Sequence, residues 1–273
     1  MAGGKFKSTE AKHRKWIKEG RGSGRNESYK PWLTVRDVAS RGRSHRVYGH
    51  KSKRTHHLLS DLELGVFLAL EWNHEITEIR EQFPLNQEVT VRLSEEAGIV
   101  HPAVSGHKQV MSSDFLVDTL DLKRPQFALQ AKYASDLSDR RTIEKLEIER
   151  RYWSEKEIPW YLITEQDINK SITSNISWLY AKQRDEISIE VLIKQAEKYL
   201  HHFQSQPKVT LIQIAKDLDA ELDLPLGESL GEIRQLLAHR CFNFNIYKPI
   251  KKLIASDLEL TESFTIGRSR NVS

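Results

Sequence analysis

One cysteine in 273 residues, Cys241, leaves the chain without a disulfide framework and without a Cys-based zinc site. Long apolar runs are missing too. None approaches the ~20 residues a helix needs to cross a bilayer. The opening string MAGGKFKSTEAKHRKW is polar with no apolar core, so no secretory leader is expected. The glycine-dense run Gly20-Arg-Gly-Ser-Gly24 follows no strand signal and precedes no Lys-Ser/Thr pair, which excludes a phosphate loop. These absences together lead us to expect a cytoplasmic protein.

Acidic residues are scarce at one end only. The formal charge of +4 hides an asymmetry: residues 1–60 carry 16 Lys/Arg against 4 Asp/Glu, and the remainder carries 26 against 34. A basic segment on an acidic body points to a polyanionic partner.

Apolar periodicity then sets out the elements. Residues 1–25 hold few apolar side chains and read as a basic flexible arm. Ser60-Asp-Leu-Glu63 has capping-box spacing and opens a helix through Leu62, Val66, Phe67 and Leu70 to about Trp72. Strands are expected at 46–48, 76–83, 109–117 and 126–132, with a polar loop over 86–108. A helix over 138–156, a charge-free buried strand at 158–164 and a helix over 165–180 follow. This order describes a mixed α/β domain, residues 26–182. Beyond the polar stretch 182–186, three helices (188–203, 209–219, 229–240), an alternating run 242–247 and a basic turn suggest a winged-helix-like domain over 183–273.

The chemistry rests on the 109–117 and 126–132 strands. Asp114 interrupts an otherwise apolar run, and Gln130 and Lys132, two apart, point to one face. A hairpin turn centred on residue 122 sets 114 opposite 130, and Glu63 can reach the same place from its helix. Phosphodiester hydrolysis needs a barrier reduction on the order of 20 kcal/mol. A lone general base supplies only about 3–5 kcal/mol. A divalent cation held by oxygen ligands closes the gap. Glu63, Asp114, the Gln130 amide oxygen and the Ala131 carbonyl suit Mg2+, with Lys132 orienting water or stabilising charge on phosphorus. Plainer roles stand beside these: Glu63 as a capping residue, Asp114 as an ordinary strand position, Gln130 and Lys132 as a solvated face. Asp118, Glu144, Glu147 and Glu149 are rival carboxylates.

Directly upstream lies the basic segment. Arg41, Arg43, His45, Arg46, Lys51, Lys53, Arg54, His56 and His57 are candidate DNA-phosphate contacts. The alternative is a basic face with no nucleic-acid role. The histidines lack a third ligand at metal-site spacing.

Several strings carry a resemblance: Tyr29-Lys-Pro-Trp-Leu-Thr-Val35, Gly42-Arg-Ser-His-Arg46, His56-His-Leu-Leu-Ser-Asp-Leu-Glu63 and Ile79-Arg-Glu-Gln-Phe-Pro-Leu85. So do Gln126-Phe-Ala-Leu-Gln-Ala-Lys132, Glu144-Lys-Leu-Glu-Ile-Glu-Arg-Arg-Tyr-Trp153 and Phe244-Asn-Ile-Tyr-Lys248. By these the chain resembles the TnsA family, endonuclease subunits of heteromeric cut-and-paste transposases. The likeness fades over residues 1–15, 86–108 and after about 252. It implies a restriction-endonuclease-like catalytic domain followed by the helical C-terminal domain, in a DNA-associated bacterial protein. It also implies catalytic roles for Glu63, Asp114 and Lys132, with Gln130 as a metal ligand where related nucleases use Asp or Glu. Mg2+, two ions per site with Mn2+ as a substitute, would serve cutting at the 5′ ends of transposon DNA. The implied partners are a TnsB-type transposase, which cuts and joins the 3′ ends, and a TnsC-type ATP-dependent regulator at the C-terminal region. The competing reading is a non-catalytic DNA-binding or assembly adaptor with the same fold.

Overall fold

The computed structural model describes residues 10–38, 42–184 and 186–261. Contacts divide the chain into two units, Met1–Ile168 and Asn169–Ser273. That division precedes the polar stretch 182–186, so the helix expected over 165–180 belongs with the second unit.

The first unit opens with α1 (Glu10–Lys18). This corrects the expectation of a flexible arm from Glu10 onward. Two buried rings, His13 and Trp16, seat this largely polar helix, with Trp16 edge-on against Trp32, their centroids 5.1 Å apart. Arg21 then covers the Trp16 ring and pairs with Asp37 at 2.6 Å.

A hairpin follows, β1 (His45–Gly49) and β2 (Arg54–Leu58), with Arg46 opposite His57 and Gly49 opposite Arg54. Next come α2 (Asp61–Trp72) and β3 (Ile76–Pro84). The stretch expected to be a polar loop instead holds α3 (Gln87–Glu96) and the small hairpin β4 (Ala103–Val104) and β5 (His107–Lys108). Asn86 caps α3 by accepting from the Val89 N–H at 3.1 Å, while Thr90 and Leu93 are buried. The unit ends with β6 (Ser112–Thr119), β7 (Gln126–Ala131), α4 (Arg140–Glu155) and β8 (Trp160–Ile163).

Four strands make one mixed sheet in the order β3-β6-β7-β8. The first two pairings are antiparallel and β7–β8 is parallel. Helix α2 packs on β3 and β7, and α4 packs on β8 and α3. Leu85, Leu93, Leu116, Ala128, Tyr152 and Trp153 form one apolar cluster. The edge of β3 is covered rather than open: Trp32 N–H donates to the Gln82 carbonyl, Tyr29 Oη donates to the Glu81 carbonyl, and the Tyr29 ring stacks on Phe83.

In the second unit α5 (Lys170–Tyr180), α6 (Ile189–Ser205) and α7 (Leu211–Glu221) pack with α8 (Glu228–Ala238) among them. The pairing of β9 (Phe242–Asn243) with β10 (Glu259–Leu260) closes the unit. Tyr199, Ile214 and Leu236 are fully buried there. Asp219 holds the start of α8 by accepting from the Gly227 and Ser229 N–H groups at 2.6 and 2.8 Å. Asn175 ties α5 to the segment after β9, donating to the Ile246 and Lys248 carbonyls and accepting from the Ile250 N–H. Among the described residues no helix is long and apolar enough to cross a membrane.

Candidate active site

Strand pairing brings the cluster together. β6 and β7 pair Phe115 with Leu129, and the same register carried one step sets Asp114 across from Gln130. The Gln130 amide uses both ends on this neighbour: Oε1 accepts from the Asp114 N–H at 3.2 Å, and Nε2 donates to Asp114 Oδ2 at 2.8 Å. The Ala131 N–H adds a second donor to the same Oδ2, at 2.8 Å. Lys132 follows the strand end. Its ammonium lies 3.7 Å from Asp114 Oδ2 and donates to the Ala131 carbonyl at 2.9 Å.

Glu63 arrives from the first turn of α2. Ser60 caps that helix, accepting from the Glu63 N–H and donating to Glu63 Oε1, each at 3.1 Å. The Leu59 N–H donates to Oε2 at 2.8 Å. The capping arrangement therefore fixes a carboxylate that also faces Asp114, and the two roles coexist.

A residue that sequence reasoning did not single out connects them. Gln82 Nε2 donates to Glu63 Oε2 at 3.4 Å and to Asp114 Oδ1 at 3.2 Å. Nothing in the sequence marks it, since β3 also carries Thr77, Glu78, Arg80 and Glu81.

Electrostatics follow from burial. Glu63 and Asp114 are both almost inaccessible. Burial, then the negative charge of Asp114, pushes the Glu63 carboxyl up to about 8 against the hydrogen bonds from Leu59 and Ser60. Burial alone would lower the Lys132 ammonium, but Asp114, Glu149 and Glu63 outweigh it and raise it, so it stays charged. Among the described residues no three His, Cys, Asp or Glu side chains gather as a metal site. The cluster offers two carboxylates, an amide and a peptide carbonyl. These oxygen donors, with two buried carboxyl groups meeting on one neutral N–H2 group, fit a hard divalent cation completed by water.

The rival carboxylates separate by their partners. Asp118 is engaged by Arg25, by Arg80 at 2.6 Å and by Gln126 at 2.7 Å. Glu144 pairs with Arg140 and Arg141, and Glu147 with Arg150 and Arg151. Glu149 differs. Buried behind the cluster, it accepts from the Ser113 hydroxyl at 2.6 Å and the Trp160 indole at 2.9 Å, and burial pushes its carboxyl up to about 8.

The basic segment is only partly a surface. Arg43, Arg46 and Lys53 are exposed, and Lys51 and His57 are half-buried. His45 Nε2 lies 2.7 Å from Asp61 Oδ1. Arg41 lies outside the described residues. Arg54 and His56 correct the expectation of DNA contacts. Alternation along β2 turns them inward, where Arg54 grips both oxygens of fully buried Glu81 at 2.6 and 2.9 Å and His56 Nδ1 lies 2.8 Å from Glu81 Oε2. Ser52 Oγ is 2.6 Å from His56 Nε2, completing a Ser–His–Glu chain. No substrate reaches it, because Ser52, His56 and Glu81 are sealed from solvent.

A mixed sheet carrying such a cluster is the setting of a nuclease, and comparison with known proteins supplies the family. The description "TnsA-like endonuclease N terminal" matches residues 73–165, which span Asp114, Gln130, Ala131 and Lys132. "TnsA endonuclease C terminal" matches residues 167–246. The chain belongs to the TnsA endonuclease family. Over 257 residues it is 48% identical to the Transposon Tn7 transposition protein TnsA of Escherichia coli, covering 94% of this chain and 94% of that protein.

Proposed function

We propose that the chain is the Mg2+-dependent DNA endonuclease subunit of a two-protein transposase. It hydrolyses phosphodiester bonds at the 5′ ends of the transposon, while a TnsB-type partner cuts and joins the 3′ ends. The observation that supports this is the convergence of Glu63 and Asp114 on one N–H2 group, with the Lys132 ammonium beside the other Asp114 oxygen. In this reading the first unit, from residue 26 to Ile168, is a restriction-endonuclease-like domain. The second, from Asn169, is a winged-helix-like domain for partner and DNA contacts, including a TnsC-type regulator.

Glu63, Asp114, Gln130 and the Ala131 carbonyl would hold Mg2+, with Mn2+ as a substitute. Bound there, the cation would supply charge neutralisation for a phosphate oxygen and acidification of a water. Lys132 acts as a donor, since an ammonium kept charged cannot accept a proton. It hydrogen-bonds the attacking water or the phosphate and offsets negative charge growing on phosphorus, a contribution of roughly 3–4 kcal/mol for such a donor. Gln130 and the Ala131 N–H hold the Asp114 carboxylate in one orientation. Arg43 and Arg46, toward the start of α2, and Lys53, at the hairpin turn, grip flanking phosphates.

The test is strand-specific cutting of transposon-end DNA by the protein with its partner transposase and Mg2+. Wild type is expected to cut the 5′ strands and Asp114→Ala to leave them intact while remaining folded by circular dichroism. Equal cutting by the two would remove Asp114 from the site. No 5′-strand cutting by wild type would favour the adaptor.

A further inference from the structure

Gln82 stands in β3 with φ +48°, a left-handed conformation rare for any residue but glycine. The ladder pairs Glu81 with Phe115 and Phe83 with Ser113, but Gln82 makes no pair with Asp114 between them. Both neighbours are fixed: Glu81 by Arg54 and His56, Phe83 by the stacked Tyr29 ring. The turned peptide is held in place by Trp32 N–H, which donates to the Gln82 carbonyl at 3.1 Å. A strained non-glycine backbone is costly and persists only where its surroundings hold it. Here its effect is to send a buried amide between two carboxylates instead of along the sheet.

The far end of that amide meets a partner of either polarity. Ser112 Oγ donates to Gln82 Oε1 at 3.2 Å, and a hydroxyl can equally accept from an N–H2 group. The two ends of a glutamine amide have nearly the same shape and opposite hydrogen-bonding character. Turning the amide end for end therefore keeps a hydrogen bond to Ser112 and offers an oxygen, in place of a nitrogen, to the gap between Glu63 and Asp114.

We propose that Gln82 is a further ligand-side residue of the metal centre. Its amide nitrogen stands in for the divalent cation between Glu63 and Asp114, and its oxygen faces the cation once one is bound. The inference rests on the reading that Glu63 and Asp114 hold that cation. It makes Gln82 a residue that keeps the two carboxyl groups converged in the absence of metal and supplies a neutral oxygen in its presence.

The experiment uses the full chain and Mn2+ alone, with bound ion counted by electron paramagnetic resonance and thermal melting followed with and without Mn2+. Gln82→Leu, of similar size and without hydrogen bonds, is expected to melt earlier without metal and to bind Mn2+ about tenfold more weakly. Gln82→Glu is expected to melt earlier without metal and to bind Mn2+ more tightly. Should Gln82→Leu fail to fold, Gln82→Asn, which withdraws the amide by one methylene, carries the same expectation. Mn2+ binding by the Leu or Asn variant as tight as wild type or tighter, with Asp114→Ala abolishing it, overturns the role of Gln82 and leaves the Glu63–Asp114 reading standing. Unchanged Mn2+ binding by Asp114→Ala overturns that reading as well.

Discussion

Gln130 holds Asp114 at two points, accepting from its peptide N–H and donating to its carboxylate. A carboxylate at position 130 can keep the first contact, but its other oxygen then faces Asp114 Oδ2. Gln130→Glu is therefore expected to lose about 1–3 kcal/mol of metal-free stability at pH 8, the cost of a broken buried hydrogen bond. Added Mg2+ should recover more of its melting temperature than it adds to wild type. Equal Mg2+ shifts in the two proteins would show that residue 130 does not face the cation.

The buried Glu81 cluster gives the fold a pH dependence of known sign. Burial raises this carboxyl, but His56 and Arg54 overcome it and hold it well below the usual carboxylate range. A depressed carboxylate adds stability above its unfolded value, about 4.5, and loses it as pH falls through its folded value. Glu81→Gln is expected to cost about 3–5 kcal/mol at pH 7, because Arg54 is left buried without its counter-ion. The gap between variant and wild type in urea titrations should narrow below pH 4.5. A gap that stays constant down to pH 3 would assign the cost to packing alone.

Gly49 owes its identity to this same cluster. A methyl group there would lie 2.5 Å from His56 Nε2 and 2.7 Å from Ser52 Oγ. The His56 ring is pinned from its other side by Glu81 and cannot retreat freely. Gly49→Ala should destabilise by about 1–3 kcal/mol, read as a lower denaturation midpoint. An unchanged midpoint would mean that the ring can shift.

Charge on the β1–β2 hairpin divides into two kinds, and DNA binding distinguishes them. Neutralising Arg43, Arg46 and Lys53 together is expected to weaken binding and to flatten the log–log salt slope by roughly 3, near 0.9 per phosphate. Arg54→Gln should lower stability and leave the slope alone. The opposite pattern in titrations between 50 and 200 mM salt would place phosphates on the inner face.

Much of the site was legible in the sequence for one reason: a short hairpin makes register an arithmetic consequence of where the turn falls. Asp114 opposite Gln130 follows from residues 121–125 alone. Glu63 was legible because Ser60 and Glu63 form a local capping pattern. Helix α1 was hidden because it is seated by Trp16 and His13 without an apolar stripe, and α3 because Val89, Thr90 and Val91 favour strand over helix. Arg54 and His56 were assigned to the surface by their charge. Their inward turn depends on Glu81, a partner far along the chain. Gln82 was hidden most completely, because side-chain spacing assumes regular backbone and a positive φ at a glutamine breaks that assumption.

The N-terminal segment on the edge of β3 bears on how the molecule is made. Arg25 meets Asp118 across 93 residues, and Tyr29 meets Glu81 across 52. These contacts of the 25–29 segment thus wait until β3 and β6 have been made. Glu63, Gln82, Asp114 and Lys132 come from separate stretches, so a nascent chain that ends before Lys132 lacks part of the candidate site.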